Sequence, residues 1–457
     1  MQLIPWLASL KRTFPGPQLR TDEKTLAAYG GDAWFASHQP DAVFFPRKAE
    51  DVAKLLKFAT RHKIPVTARG AGKGYVGGCV PEHGGIVVSF EKMNRILEIN
   101  QPDGVAVVQP GVITGHLQTA VEKVGLFYPP DPASLKDCFI GGNVATNAGG
   151  PRCVKYGVTR HYILGLQVAL ADGTLVRVGG RTHKNKSGLD LVGMFVGSEG
   201  LLGLVTEITV RLLPLPRARA VFSAGFRTAP QAAAAVQAIL ANGFLPSALE
   251  VADQFTLRAA RKHLGGELVP PGAACLIVEI DGQPASVRSE AKQLLAIIRR
   301  AGGLQIRSAL TPRDAEKIWD LRRGFSMSLK ATGLTKLNED ITVPRGKLVD
   351  LFAFAAKLQK KYGLAVASFG HAGDGNIHVN IMVDLTQPGV KPKMHRALDE
   401  LFTQVIAWNG AITGEHGIGL AKLRWWKKAA SPELRALHRT VKLALDPHRL
   451  LNPGKFI

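Results

Sequence analysis

Between Pro65 and Leu213 the chain is a succession of short β-rich runs broken by three glycine-dense loops, and this pattern most limits what it can fold into. The runs include Pro65-Val66-Thr67-Ala68, Gly85-Ile86-Val87-Val88-Ser89, Val105-Ala106-Val107-Val108, Leu166-Gln167-Val168-Ala169-Leu170 and Val205-Thr206-Glu207-Ile208-Thr209-Val210. Such runs, bounded by turn residues, read as strands. The first loop, from Arg69 to Gly78, contains a formal G-x-G-x-x-G at Gly72, Gly74 and Gly77. A dinucleotide-binding βαβ unit requires a helix to open there and an acidic residue ~20 positions on. The chain instead continues Cys79-Val80-Pro81-Glu82-His83-Gly84-Gly85 into another strand, so that reading fails. A glycine loop without a helix still offers bare backbone N–H groups as an anion nest, and Arg69 and Lys73 add positive charge. The second loop runs from Gly141 to Gly150 after Pro129-Pro130-Asp131-Pro132, and the third from Gly197 to Gly203. Three such loops between strands predict close backbone approach to one long, flat, anionic ligand.

Around this segment the texture changes. Residues 42–62 read as a polar helix, with Val52, Leu55, Leu56 and Ala59 at helical spacing. Leu212-Leu213-Pro214-Leu215-Pro216 marks a boundary. Residues 217–365 then alternate strands (Ala220–Phe222, Ala274–Ile280) with alanine-rich helices (230–241, 286–301), which predicts a separate α+β domain.

With 457 residues the chain has room for two or three domains. Its 46% apolar and 21% charged residues exclude wholesale disorder. No apolar run approaches the ~18–20 residues of a membrane span. Met1–Trp6 lacks a basic n-region and carries Pro5, and the four cysteines form no C-x-x-C pair, so a reduced, cytoplasmic protein is expected. The formal charge of +22 raises nucleic acid, an acidic membrane surface or anionic ligands as partners. No zinc finger, RNA-recognition signature or basic-aromatic array accompanies it, so no nucleic acid is expected. The densest basic stretch, Lys422 to Lys442, sets seven Lys/Arg against Glu433 alone. It is read first as a solvated helix face and second as a docking surface for a partner or the inner face of a membrane.

The most informative stretch is Phe369-Gly370-His371-Ala372-Gly373-Asp374-Gly375-Asn376-Ile377-His378-Val379-Asn380-Ile381. A Gly-Asp-Gly turn separates His371 from a strand whose period of two puts His378 and Asn380 on one face. Thr413-Gly414-Glu415-His416-Gly417-Ile418-Gly419 follows. Two imidazoles and the Glu415 carboxylate make an open divalent-metal site, since three protein ligands leave a position for substrate. His416 is then free to act as a base near neutral pH. Glycines beside all four residues are read as crowding around a ligand.

These loops, in this order, resemble the FAD-binding domain of the vanillyl-alcohol oxidase/PCMH superfamily, and more closely its branch of glycolate oxidase, D-lactate dehydrogenase and D-2-hydroxyglutarate dehydrogenase. The resemblance runs from about Pro46 to Leu451-Asn452-Pro453-Gly454-Lys455. It implies an α+β fold class: a PCMH-type FAD-binding domain (1–216), a substrate or cap domain (217–420) and a C-terminal helical segment (421–457) returning to the first. It implies that Arg69, Gly70, Ala71, Gly72, Lys73, Gly74, Gly77 and Gly78 wrap the FAD pyrophosphate. Pro130, Asp131, Gly141, Gly142, Asn143, Thr146, Asn147 and Gly149 would line the flavin side, with Glu199, Gly200, Ile208 and Asn452 nearby. Covalent-flavin members place histidine in the first loop; this chain has Lys73 near that place, so non-covalent FAD is expected. His371, His378 and Glu415 match the metal ligands, with zinc the favoured ion, Asn380 a substrate contact and His416 the base. Arg322, in Trp319–Ser326, matches the carboxylate clamp, with Ser326 and Lys336 as further substrate contacts, although Lys336 is spaced differently from the hydroxyglutarate-type pattern.

The activity so implied is FAD-dependent oxidation of a D-2-hydroxy acid (D-lactate, glycolate or D-2-hydroxyglutarate) to the 2-oxo acid. Four scattered cysteines offer no usual iron–sulfur ligand spacing. Electrons must therefore pass to an external acceptor: an iron–sulfur protein, electron-transferring flavoprotein, a cytochrome or a quinone. The rivals are a same-fold flavoenzyme with other chemistry, such as an ether-lipid synthase or alcohol oxidase, a metal hydrolase, and a basic nucleic-acid-binding protein.

Overall fold

The computed structural model describes residues 5–457, and the expectation drawn from the leading Met1–Ile4 lies outside the described residues. The chain forms two compact units. One takes the chain up to Ala148 together with Val158–Leu215 and Glu415–Ile457; the other takes Gly149–Gly157 and Pro216–Gly414.

The first unit begins with a four-stranded sheet of β1 (Leu19–Arg20), β2 (Ala42–Phe44), β3 (Val66–Arg69) and β4 (Ile86–Ser89), ordered β1-β2-β4-β3. Helix Ala49–His62 connects β2 to β3, which both run parallel to β4. It starts later than the spacing predicted because residues 42–44 are spent on β2. Val52, Leu55, Leu56 and Ala59 are buried in one cluster with Phe44, Val66 and Ile86, and Glu50/Asp51 and Arg61/His62 complement the helix dipole at its two ends. A five-stranded antiparallel sheet follows: β5 (Ile96–Asn100), β6 (Val105–Val108), β8 (Ile163–Ala169), β9 (Leu175–Gly179) and β10 (Leu204–Arg211), ordered β5-β6-β10-β8-β9. β7 (Leu126–Phe127) pairs separately with β11 (Leu213–Pro214).

The last helices, Leu423–Ala429 and Pro432–Leu445, belong to this unit. Beyond them the chain bridges to β3: Val66 N–H donates to Leu450 O and Asn452 N–H to Val66 O. Two lysines of the basic stretch turn inward. Lys422 and Lys442 are buried, and Lys442 Nζ donates to Leu201 O, Leu451 O and Asp446 Oδ2, each at 2.7 Å. The expected solvated face is therefore narrower, retaining Arg424, Lys427, Lys428 and Arg439 as exposed cations.

The second unit is built on one antiparallel sheet: β12 (Ala218–Phe226), β13 (Ala248–Ala252), β14 (Ala274–Gly282), β15 (Leu304–Ala309), β16 (Thr335–Thr342), β17 (Ala365–His371) and β18 (Asn376–Val383). Their order is β15-β12-β14-β13-β17-β18-β16. Helices Gln254–Leu264 and Pro312–Lys330 share a core with Val221, Cys275, Ile277, Ala367 and Phe369 on one face. Helices Ala229–Ala241, Pro284–Arg300 and Leu348–Tyr362 form a second layer. Three of the long helices start at a sequence-legible cap: Thr228, Asp253 and Thr311 accept from the amides of Gln231, Thr256 and Asp314.

Replacing Lys442 by Met should leave the buried Asp446 carboxylate without its cation, at a cost of about 3–5 kcal/mol. The expected readout is a lower urea midpoint, largely restored in the Lys442→Met/Asp446→Leu pair. An unchanged midpoint in the single variant would contradict the interior role.

Candidate active site

In the first unit the three glycine loops meet at their glycines. A Cβ on Gly70 would stand 3.4 Å from Gly142 Cα, and one on Gly200 3.4 Å from the Ala68 methyl. Gly197 N–H donates to Val144 O and Glu199 N–H to Ala145 O, tying the third loop to helix Ile140–Thr146. No helix follows Gly72-Lys73-Gly74, so the rejection of the βαβ motif holds. Among the described residues no acceptor is found for the amides of Ala71, Gly72, Lys73 and Gly74, which leaves a row of donors suited to phosphate.

Three cofactor candidates, Asn147, Glu199 and Asn452, hold left-handed backbone at φ 51°, 49° and 47°. Left-handed non-glycine residues cost energy and persist where their surroundings over-determine them. Here two of them, Glu199 and Asn452, are joined. Asn452 Nδ2 donates to Gly78 O (2.9 Å) and Glu199 O (2.8 Å). The Glu199 carboxylate is buried and accepts from Ile418 N (2.7 Å) and Gly419 N (2.9 Å); burial pushes its pKa up against those two amides. Asn452 Oδ1 is buried with no partner, an acceptor that a bound ligand could satisfy.

Other candidates are committed elsewhere. The Arg69 guanidinium turns to Gly31 O and Cys79 Sγ and lies over the Tyr29 ring at 5.2 Å. Lys73 pairs with Asp137 at 3.6 Å on the surface. Gly78 N–H goes to Asp32 Oδ2 at 3.1 Å, and burial raises the Asp32 pKa. Asn143 Nδ2 donates to Thr114 Oγ1 at 2.6 Å and Thr146 Oγ1 to Gly142 O at 3.2 Å. Asn147 Oδ1 caps Arg160 N–H, Gln118 holds Pro130 O, and Asp131 is half-buried. Ile208 lies fully buried within β10, and Gly149 falls in the second unit.

In the second unit, His371 ends β17 and His378 sits on β18, two strands of one hairpin. The register sets Phe369 opposite His378, so His371, two residues on, shares its face. The two rings, both buried, lie 5.7 Å apart at 80°. Neighbouring buried charges explain their pose. Glu250, opposite His371 on β13, accepts from His371 Nδ1 at 2.6 Å and from Arg322 Nε. Burial alone would raise the Glu250 pKa, but Arg322 and His371 beside it carry it below the usual carboxylate range. Arg322 also lies over Phe369, Cζ 5.1 Å from the ring centre.

Asn380 faces Asn338 across β18 and β16. Its Nδ2 donates to Ala367 O and His378 O, which turns Oδ1 away, buried and unpartnered; Asn338 Oδ1 is in the same condition. Lys336 Nζ donates to Ser326 Oγ at 2.7 Å, and burial lowers its pKa to about 8, with Lys330 adding to the shift. Asp340, fully buried, accepts from Asn376 Nδ2 (2.6 Å), Thr413 Oγ1 (2.8 Å) and Gly414 N (2.9 Å). It thereby anchors the chain at the residue before Glu415. In the first unit, His416 Nε2 lies 3.8 Å from Glu415 Oε1, and its ring centre is 5.5 Å from that of Tyr75 in the first glycine loop.

The flanking glycines are each packed closely against the protein itself. A Cβ on Gly375 (φ 87°) would sit 2.1 Å from Val343 O, on Gly373 2.7 Å from Val154, on Gly414 2.2 Å from Asn376 Nδ2, and on Gly417 2.7 Å from Glu199 Oε1. Glu250, Asp340 and Asp32 escaped the sequence reading; Glu250 alone left a signal, a lone acid inside the apolar run Ala248-Leu249-Glu250-Val251-Ala252.

A family model described as "FAD linked oxidases, C-terminal domain" matches residues 215–456, and one described as "FAD binding domain" matches residues 40–179. The glycolate oxidase protein GlcD of Bacillus subtilis is 38% identical over 416 residues, 91% of this chain and 88% of its own length. D-lactate dehydrogenase of Anaerostipes hadrus is 32% identical, covering 97% and 94%. That of Archaeoglobus fulgidus is 36% identical, covering 90% of each. Among solved structures, p-cresol methylhydroxylase superposes with a TM-score of 0.79 at 19% identity over 98% of this chain and 96% of its own. Alkyldihydroxyacetonephosphate synthase gives 0.77 at 19% over 99% and 86%. These two likenesses speak for the fold alone, a PCMH-type flavoenzyme architecture with both helices and sheets.

Asn452→Ala removes both bonds joining Gly78 to Glu199 while leaving the chain's own amide nest in place. It should weaken FAD binding about 10-fold, the scale of two hydrogen bonds at roughly 0.5–1.5 kcal/mol each, as read by quenching of flavin fluorescence. Unchanged affinity would detach this knot from the cofactor.

Proposed function

Because the chain belongs to the family of FAD linked oxidases, we propose that it is an FAD-dependent dehydrogenase that converts a D-2-hydroxy acid to the 2-oxo acid and passes the electrons to an external acceptor. The observation that carries the substrate class is the gathering of two imidazoles (His371, His378), two cations (Arg322, Lys336) and a turned-out amide oxygen (Asn380) on the second unit's sheet and the helix packed against it. A small molecule with adjacent carboxylate and hydroxyl groups fits that donor set.

Arg322 has its Nε engaged by Glu250, so its two terminal nitrogens form the fork for the substrate carboxylate. Lys336 supplies a second positive charge with Ser326 beside it. Asn380 is a further substrate contact, and the hydroxyl's one hydrogen is directed to His416. His416 takes the hydroxyl proton, its imidazole suited to that near neutral pH. The amides of the first glycine loop, Asn452 and the adjoining loops would hold FAD, which would supply the hydride-accepting chemistry toward the substrate's α-carbon. With Lys73 in place of a histidine the flavin is non-covalent, so acid precipitation should leave it all in the supernatant. His371, His378 and Glu415 are the three candidate ligands of a divalent cation, zinc by preference, which would act as a Lewis acid toward the hydroxyl.

Among the described residues no helix is long and apolar enough to cross a membrane. For the acceptor, or a peripheral membrane contact on the cytoplasmic side, the exposed Arg424, Lys427 and Lys428 form the docking face. Neutralising them should slow acceptor reduction alone; equal rates would remove that role.

A dye-linked assay with glycolate, D-lactate, D-2-hydroxyglutarate and L-enantiomers tests the whole reading. Turnover of at least one D-acid or glycolate, with L-acids inert and His416→Ala inactive yet flavin-loaded, is expected. Turnover of none, or near-normal activity in His416→Ala, would overturn the corresponding claim. In the same assay kcat/KM should fall as pH rises through about 8, because Lys336 loses its proton there and not near 10.5. Lys336→Met should lack that limb.

A further inference from the structure

We infer that Glu250 is the positioning residue of this site: one carboxylate that sets both the tautomer of the metal-ligand candidate His371 and the orientation of the substrate clamp Arg322. The inference rests on the roles given above to those two residues. Glu250 is 1% exposed, in a strand whose neighbours Leu249 and Val251 are equally buried. A carboxylate there is a poor means of stabilising a strand, since an apolar side chain of similar size serves as well or better. Its two oxygens are divided between two functional candidates, Oε1 to His371 Nδ1 at 2.6 Å and Oε2 to Arg322 Nε.

The chemistry of each contact has a direction. An ionised carboxylate only accepts, so the proton of the neutral imidazole sits on Nδ1, and Nε2 presents its lone pair. Imidazoles that bind metals are commonly oriented this way by a carboxylate, which also raises their basicity. On the other oxygen, engagement of Nε leaves the terminal pair of guanidinium nitrogens, the edge that matches a carboxylate in bidentate fashion. The Phe369 ring, its centre 5.1 Å from Cζ, packs against the guanidinium. The register that sets Glu250 opposite His371 makes the arrangement a property of the sheet, not of a mobile loop. A loss at Glu250 should therefore disturb cation binding and substrate-carboxylate binding together.

The test compares wild type, His378→Ala, Glu250→Asp and Glu250→Gln, each loaded with FAD, by zinc competition against a colorimetric chelator, with KM and kcat for the best hydroxy acid alongside. Expected are zinc binding by the wild type, its loss in His378→Ala, and about 10- to 100-fold weaker zinc binding in Glu250→Gln. KM should rise more than kcat falls in that variant, with flavin content unchanged and partial rescue in Glu250→Asp. Wild-type zinc affinity and KM in Glu250→Gln would overturn the positioning role while leaving the metal site standing. A wild type that binds no zinc would instead overturn the metal reading, and this inference with it. Should the variants fail to fold, nitrogen-15 histidine spectra of the metal-free wild type decide, His371 being assigned by its loss in His371→Gln. The Nδ1–H form is expected, and the Nε2–H form would overturn the inference.

Discussion

A carboxylate taken out of water costs several kcal/mol unless its charge or its lone pairs are met, and each unit of this chain is organised about one such group. In the first unit it is Glu199, held in left-handed backbone with two amides of the C-terminal segment on its oxygens and Asn452 on its carbonyl. In the second it is Glu250, divided between an arginine and a histidine. Both bring together residues far apart in sequence. The cost of desolvation becomes the means of positioning.

The two units divide the work. The first gathers three glycine loops, and among the described residues the amides of Ala71, Gly72, Lys73 and Gly74 in the first of them find no acceptor, which suits the FAD binding domain matched there. The second sets out imidazole, guanidinium, ammonium and amide groups on its sheet and an adjoining helix, where strand register governs their spacing. Asp340, opposite His378 in the sheet, serves this arrangement too: its buried carboxylate holds Gly414, and the next residues in the chain are Glu415 and His416.

Much of this was legible in the sequence where local physics decides. Glycines at Gly72, Gly77 and Gly200 take φ values of 68–72° that other residues avoid, and the period of two in Asn376–Val383 is a strand because nothing else fits it. The helix caps at Thr228 and Thr311 are equally local. What tertiary packing decides was not legible. Lys442 looked like one more solvated cation, yet its partner Leu201 lies 241 residues away. Glu250 drew no reading as a lone acid in an apolar strand, and Arg322 gained a role from a family likeness and not from its own neighbourhood. Glycines beside the histidines read as signs of a ligand, and the structure adds that they admit the backbone of Val343 and the side chains of Val154 and Asn376.

The central claim is that hydroxy-acid oxidation by this chain is coupled to its flavin. It is tested most directly by mixing the FAD-loaded protein with D-lactate, and separately glycolate, under anaerobic conditions while following the flavin's visible absorbance and the 2-oxo acid formed. The account predicts bleaching with one 2-oxo acid released per flavin reduced, and no bleaching by L-lactate. A flavin that stays oxidised with every acid, or a 2-oxo acid formed without bleaching, would contradict it.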